Sequence, residues 1–185
     1  ITAYADRVID MIPSSSKDLF RYVVHHITYT YETSKIICMD GVFVHMAENY
    51  YNRGFCYWMS DKKLKKVKDR CAKLKPTLCG KKAPSLNLLN YEETNFKSLY
   101  EVDAKRTVLI FWDSGCGHCK KEMPLLKDLY NDLGSKGMEV YAVGTEYETE
   151  EWKKYLEKNE FLDWINVSDN PVYPDNFRNI YDIFS

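Results

Sequence analysis

The stretch from Thr107 to Pro124, TVLIFWDSGCGHCKKEMP, restricts the fold more than any other part of the chain. Thr107 to Trp112 is almost wholly apolar and rich in branched and aromatic types, the pattern of a strand buried on both faces. Asp113, Ser114 and Gly115 break that strand. From Cys116-Gly117-His118-Cys119 onward the spacing is helical: Cys119, Glu122 or Met123, Leu126, Tyr130 and Leu133 fall on one face. Two cysteines at a helix start form a chemical device. The first thiol sits among unpaired backbone N–H groups at the positive end of the helix, which favours thiolate. The second lies one helical turn on, close enough to form a disulfide with it.

With 185 residues and 45% hydrophobic content, the chain can bury one or two ordinary cores. Its fifteen tyrosines suit amphipathic helices whose aromatic bodies pack while their hydroxyls stay wet. A net charge of −1 gives no electrostatic case for a nucleic-acid partner. The charge is unevenly placed, however. Residues 1–82 hold 15 Lys/Arg against 8 Asp/Glu, net +7, and residues 83–185 hold 11 against 19, net −8. The reversal falls beside Gly80 and predicts two units of opposite charge. No run of 18 apolar residues exists to make a spanning helix. The chain opens on Ile1 rather than methionine, so a signal peptide or lipid anchor is expected to have been removed.

Residues 1–79 read as a small all-helical domain. Ser14-Ser15-Ser16 offers an N-cap, after which Leu19, Tyr22, Val23, His26, Ile27 and Thr30 follow a 3.6 period to about Glu32. A second helix is expected over Lys35 to Tyr51, stopped by Asn52-Arg53-Gly54. A third, Lys62 to Leu74, starts at Ser60-Asp61 and ends at Pro76, with Leu64, Val67, Cys71 and Leu74 as its apolar stripe and a solvated, lysine-rich outer face. Residues 80–185 read as α/β. Gly80 to Pro84 is a linker, Leu86 to Leu89 a short strand and Asn95 to Val102 a turn of helix. Met138 to Gly144 is a second core strand, and Glu150 to about Asn159 a helix. The order β-α-β-α demands a parallel pair with a right-handed crossover. Trp164 to Val167 reads as extended, Asp169-Asn170-Pro171 as a turn and Asp175 to Ile183 as a short helix.

For Cys116 and Cys119 the competing reading is half of a zinc site, which needs two more soft ligands at matching spacing. Cys38, Cys56, Cys71 and Cys79 contain no second C-x-x-C, so a redox pair is predicted and no metal. Cys116 would attack a partner's disulfide as thiolate, and Cys119 would resolve the mixed disulfide. An imidazolium at His118 would stabilise the Cys116 thiolate and make the pair more oxidising. Glu122, one turn past Cys119, is placed to accept the proton that Cys119 must lose. Pro124 removes one helical hydrogen bond and re-aims the first turn. Cys71 is expected as a buried free thiol, a Cys56–Cys79 bridge stays open, and His25, His26 and His45 receive no role.

The strand ending in Phe111-Trp112, the C-x-x-C, Lys120-Lys121-Glu122 and Pro124 together resemble the active site of the thioredoxin superfamily. The nearer resemblance is to its TlpA/ResA-like envelope thiol–disulfide oxidoreductases, whose catalytic domain opens on a segment similar to Gly80-Lys81-Lys82-Ala83-Pro84 with Leu86-Asn87-Leu88. It covers roughly Gly80 to Ser185. Family members often carry Trp directly before the first cysteine, where this chain has Gly115.

The resemblance implies a thioredoxin-like domain over 80–185 behind the helical domain 1–79, with catalytic Cys116, Cys119 and Glu122 tuned by Gly117, His118, Trp112 and Pro124. It implies exchange of disulfides with protein thiols in a bacterial periplasm or cell envelope. An upstream protein would donate or accept the electrons, and no cofactor beyond the cysteine pair is needed. The branch favours reduction, whereas Gly117-His118 leans toward oxidation or isomerisation. The alternative function is a partner- or peptide-binding module in which the redox pair is secondary. In family members the segment resembling Asn179 to Ser185 leads into Thr-Pro with a cis proline. The domain is therefore expected to be incomplete at its C-terminus, with a bare edge on the Thr107–Trp112 strand, weak activity and self-association.

Overall fold

The computed structural model describes residues 1–52, 54–146, 149–169 and 177–183. They form two compact units, Ile1–Pro84 with Asn179–Asp182, and Ser85–Arg178 with Ile183–Ser185.

The first unit is helical: α1 (Thr2–Asp10), α2 (Lys17–Glu32), α3 (Asp40–Met46) and α4 (Asp61–Leu74). Ala5 and Ile9 of α1, Val24 of α2, Met46 and Tyr51 make one core with Cys56, and Phe43, Val44, Ala47 and Cys71 make another. The expected α2 is present, but its inward face is rotated. Val24 and Thr28 are buried with Phe20, Val23 and Ile27 beside them, whereas Leu19 and Tyr22 are exposed. Tyrosine and histidine fit either face by hydropathy, so the period alone did not settle which side turns inward. The helix expected over Lys35 to Tyr51 is shorter. It starts at Asp40 and turns π-helical over Ala47–Tyr51. Cys38 sits ahead of it in the left-handed region at φ 70, which no helix interior accepts.

Cys38 is also bonded to Cys79, with Cα atoms 5.4 Å apart. The bridge considered for Cys56 and Cys79 is thus replaced by Cys38–Cys79, and Cys56 and Cys71 are buried free thiols. A packed His45 binds the Asp6 carboxylate through Nε2 at 2.7 Å, and Tyr50 donates to the same carboxylate at 2.8 Å. Within this unit Tyr181 donates to the Pro84 carbonyl at 2.5 Å, and Asp182 accepts from Lys73 at 3.3 Å and from Arg70.

The second unit is a five-stranded sheet with strands β1 (Asn87–Asn90), β2 (Phe96–Ser98), β3 (Arg106–Trp112), β4 (Met138–Gly144) and β5 (Ile165–Ser168) in the order β2-β1-β5-β4-β3. β3 and β4 run parallel in register from Arg106↔Met138 to Trp112↔Gly144, as a strand–helix–strand crossover requires. β5 pairs parallel to β4 and antiparallel to β1, so the segment read only as extended is an interior strand. Phe96–Ser98, expected within a helical turn, is a strand antiparallel to β1 and only then a 3₁₀ turn over Leu99–Glu101.

β3 stands at the end of the strand order and is half-buried over Val108 to Phe111, not buried on both faces. A continuous apolar run cannot distinguish a central strand from an edge one. On one face α5 (Cys119–Leu133) and α6 (Thr149–Lys158) pack over Val140 and Ala142 through Met123, Trp152 and Leu156. Tyr141 and Val143 alternate to the opposite face and are fully buried there. Phe177 of α7 (Phe177–Ile180) stacks on Phe111, ring centroids 5.5 Å apart. The turn expected at Asp169-Asn170-Pro171 lies outside the described residues from Asn170 on.

Candidate active site

Parallel strands bring their C-terminal ends to one side of a sheet, and ligands and reactive groups of α/β folds gather there. β3 and β4 end together at Trp112 and Gly144. Beyond the ladder, the Trp112 carbonyl accepts both the Thr145 N–H at 2.9 Å and the Thr145 hydroxyl at 3.1 Å. That double bond anchors the point where β3 gives way to the cysteine loop. Trp112 itself is buried in the core beneath.

The loop is held by side-chain oxygens. The Asp113 carboxylate accepts the Gly115 N–H at 2.6 Å, the Asp113 carbonyl accepts the Cys116 N–H at 3.1 Å, and the Ser114 N–H donates to the Glu146 carboxylate. These three donors of a tight turn are thus satisfied without a sheet. A Cβ at Gly115 would lie 3.0 Å from the Asp113 carboxylate, so a larger residue there needs that carboxylate to give by a few tenths of an ångström.

α5 begins at Cys119, with His118 at the N-cap. Its first free N–H, that of Cys119, points at the Cys116 sulfur 3.3 Å away. The Cys116 thiol is lowered from its ordinary value: the Cys119 side chain and backbone N–H bond to it, and the His118 backbone adds to this. The Cys119 thiol is raised, by burial first and by the neighbouring Cys116 second. Both are free thiols in this structure. One sulfur is therefore poised to attack as thiolate while the other is held back as thiol.

Among the expected tuning residues, Gly117 and His118 are exposed in the turn itself. Pro124 lies inside α5 on its exposed side, and Met123 beside it is the buried anchor. Glu122 lies in the first turn of α5 and is exposed, with its N–H bonded to the His118 carbonyl at 3.1 Å. Among the described residues no group of three or more His, Cys, Asp or Glu could hold a metal ion.

Residue reasoning missed Asp113, Thr145 and Glu146 as the braces of the cysteine loop. Only their positions carried a signal: Thr145-Glu146 follows directly on the end of the second core strand, where a parallel sheet builds its site. Behind them Arg178 donates to the Thr145 carbonyl at 2.5 Å and pairs with Asp169 at 3.4 Å.

The AhpC/TSA family matches this chain over residues 79–181. The chain belongs to that family. The thiol-disulfide oxidoreductase ResA of Oceanobacillus iheyensis is 38% identical over 73 residues, covering 36% of this chain and 38% of that protein. ResA of Bacillus subtilis is 38% identical over 66 residues, 35% of each chain. The chain thus spans well under half the length of these curated relatives. Among solved structures, a domain of a possible thiol-disulfide isomerase from Cytophaga hutchinsonii is 42% identical, with a TM-score of 0.54 over 60% of this chain and 74% of that one. A thioredoxin-like protein from Bacteroides caccae shares the fold alone, at 19% identity, with a TM-score of 0.68 over 91% of this chain and 60% of that one.

Proposed function

We propose that this protein is a thiol–disulfide oxidoreductase that exchanges disulfides with protein cysteines through Cys116 and Cys119. The observation that carries the reading is the asymmetry of the pair. The Cys116 sulfur receives the Cys119 N–H and is acid-shifted, while Cys119 is partly buried and shifted the other way. Attack by the Cys116 thiolate on a partner disulfide forms a mixed disulfide and expels one partner sulfur. Cys119, once deprotonated, attacks the Cys116 sulfur and expels the other, leaving the partner reduced and the pair oxidised. Glu122, one turn on, is the carboxylate in this reading that takes the Cys119 proton. The same steps run backwards from the oxidised pair, so direction follows from the reduction potential against the partner's.

A bacterial periplasm or cell envelope is the compartment this reading favours. The ResA names of the relatives support it, and so does the exposed Cys38–Cys79 disulfide, which persists only where thiols are not kept reduced. An upstream thiol protein would then restore the pair after each turnover.

Trapping tests the reading. Cys119→Ser should accumulate mixed disulfides linked through Cys116 when offered disulfide-bearing proteins, and Cys116→Ser should not. If neither variant captures a partner covalently while the wild-type chain still binds one, the chain is a binding module and the pair is secondary.

A further inference from the structure

The first unit carries a second sulfur site. Cys38 and Cys79 are joined in a disulfide, and both residues are exposed, in turns outside the helices. The other two cysteines of that unit, Cys56 and Cys71, are buried, and burial pushes the Cys56 thiol up to about 12. They do not compete in exchange. Directly before Cys38 stand Ile36 and Ile37, 70% and 84% exposed, Ile37 being the most exposed large hydrophobic residue described. Isoleucines presented to water beside an accessible disulfide make a contact surface rather than a core. Lys35 precedes them, and Lys81 and Lys82 follow Cys79. Such cations stabilise a departing thiolate and make it a better leaving group.

We propose that Cys38–Cys79 is an exchangeable disulfide and a substrate for the Cys116 thiolate of a second copy of this chain. Charge complementarity argues for that occupant. Residues 1–82, which hold the disulfide, carry +7, and residues 83–185, which hold the dithiol, carry −8. Opposite fields of that size steer encounter between the first part of one copy and the second part of another.

The chemistry balances within the two chains. The donor's Cys116 thiolate attacks the acceptor's Cys38 sulfur, the Cys38–Cys79 bond breaks, and Cys79 leaves as thiolate and takes a proton from water. The donor's Cys119 gives its proton to Glu122, which passes it to solvent, then attacks Cys116 and releases Cys38. The acceptor gains two electrons as a dithiol, and the donor loses two as a Cys116–Cys119 disulfide. Opening the bond frees the turn ahead of α3 from the turn after α4, 41 residues apart in sequence. It also lets Cys38 leave the left-handed backbone region.

The inference rests on the oxidoreductase reading, and one experiment separates the two. A pre-reduced donor, Cys38→Ser with Cys79→Ser, is freed of reductant and mixed with an acceptor, Cys116→Ser with Cys119→Ser. Alkylation and mass spectrometry then read Cys38 and Cys79 of the acceptor, while an aromatic small-molecule disulfide reports on the donor's own competence. Expected is reduction of Cys38–Cys79 at least tenfold faster than by glutathione at equal thiol concentration, slowing severalfold at high salt. An intact Cys38–Cys79 bond alongside rapid reduction of the aromatic disulfide would overturn the inference and leave the oxidoreductase reading standing. So would opening no faster than by glutathione, which makes the bond merely accessible. Failure on both disulfides by a folded donor removes both readings. Should the donor variant not fold, the intact chain serves under limiting reductant. Opening of Cys38–Cys79 should then rise with chain concentration and fall at least tenfold in Cys116→Ser, and a rate indifferent to both refutes the proposal.

Discussion

The Cys116 thiol owes its acidity first to the Cys119 side chain bonded to it and then to its place just ahead of α5, where the Cys119 N–H has no carbonyl to bond and turns to sulfur instead. Alkylation of the reduced protein should therefore modify Cys116 first, with a pH profile whose midpoint falls below the ordinary thiol value of 9.0. Cys119 should follow only above that value. Preferential labelling of Cys119 would reverse the assignment of roles. The two thiols also bias the stability of the reduced chain in opposite senses. The contribution from Cys116, lowered by folding, is complete above its unfolded value and is lost as pH falls through the folded one; that from Cys119, raised by folding, is complete below its unfolded value and is lost as pH rises through the folded one. At Glu122 the question is kinetic. Glu122→Gln is expected to slow resolution of a mixed disulfide by roughly 100-fold, the low end of what a positioned base contributes, with initial attack little changed. Stopped-flow accumulation of the mixed disulfide reads this. Rates unchanged from the parent for both steps would leave Glu122 as an acid in the first turn of a helix and no more.

Among the elements, the end of β4 is the tightest joint. A Cβ on Gly144 would lie 2.8 Å from the indole of Trp152, a residue of α6 that is buried and has no room to retreat. Gly144→Ala should cost about 1–3 kcal/mol by overpacking. Gly117, between the cysteines, has nothing within 4 Å of its would-be Cβ and an ordinary φ. Gly117→Ala should then stay within about 0.5 kcal/mol of the parent in stability. Denaturation midpoints of the two variants give the comparison directly, and equal midpoints would refute the packing argument at Gly144. The contrast separates a glycine kept for close approach of a helix from one whose role lies in the exposed turn.

For the whole molecule, the disulfide and the sheet belong to different units, and the consequences of losing one should be local. Closing a loop of 41 residues restricts the unfolded chain. On the chain-entropy account Cys38→Ser should cost about 4 kcal/mol. Hydrogen exchange should show the loss at amides of α3 and α4, with those of β4 protected as before. Equal loss of protection in β4 would mean that the two units unfold as one.

Much of this was determined by local pattern. Residues such as Val140 to Val143, the helix starts at Ser16 and Ser60, whose side chains make no cap bond, and the C-x-x-C after a strand each declare their element within a few positions, because period and helix-start preference act over short range. The parallel pairing of β3 with β4 followed from element order alone. Tertiary structure decided the rest. Nothing near Ile165 in sequence says that its strand will lie between β4 and β1, since that placement comes from partners tens of residues away. Cys38 and Cys79 were joined, and Cys56 left out, by the meeting of two turns that no spacing rule connects. The braces of the cysteine loop, Thr145 and Glu146, reach it only because two parallel strands end side by side. Short-range physics names the elements and the reactive pair; which groups hold that pair in place depends on contacts that exist only once the sheet has formed.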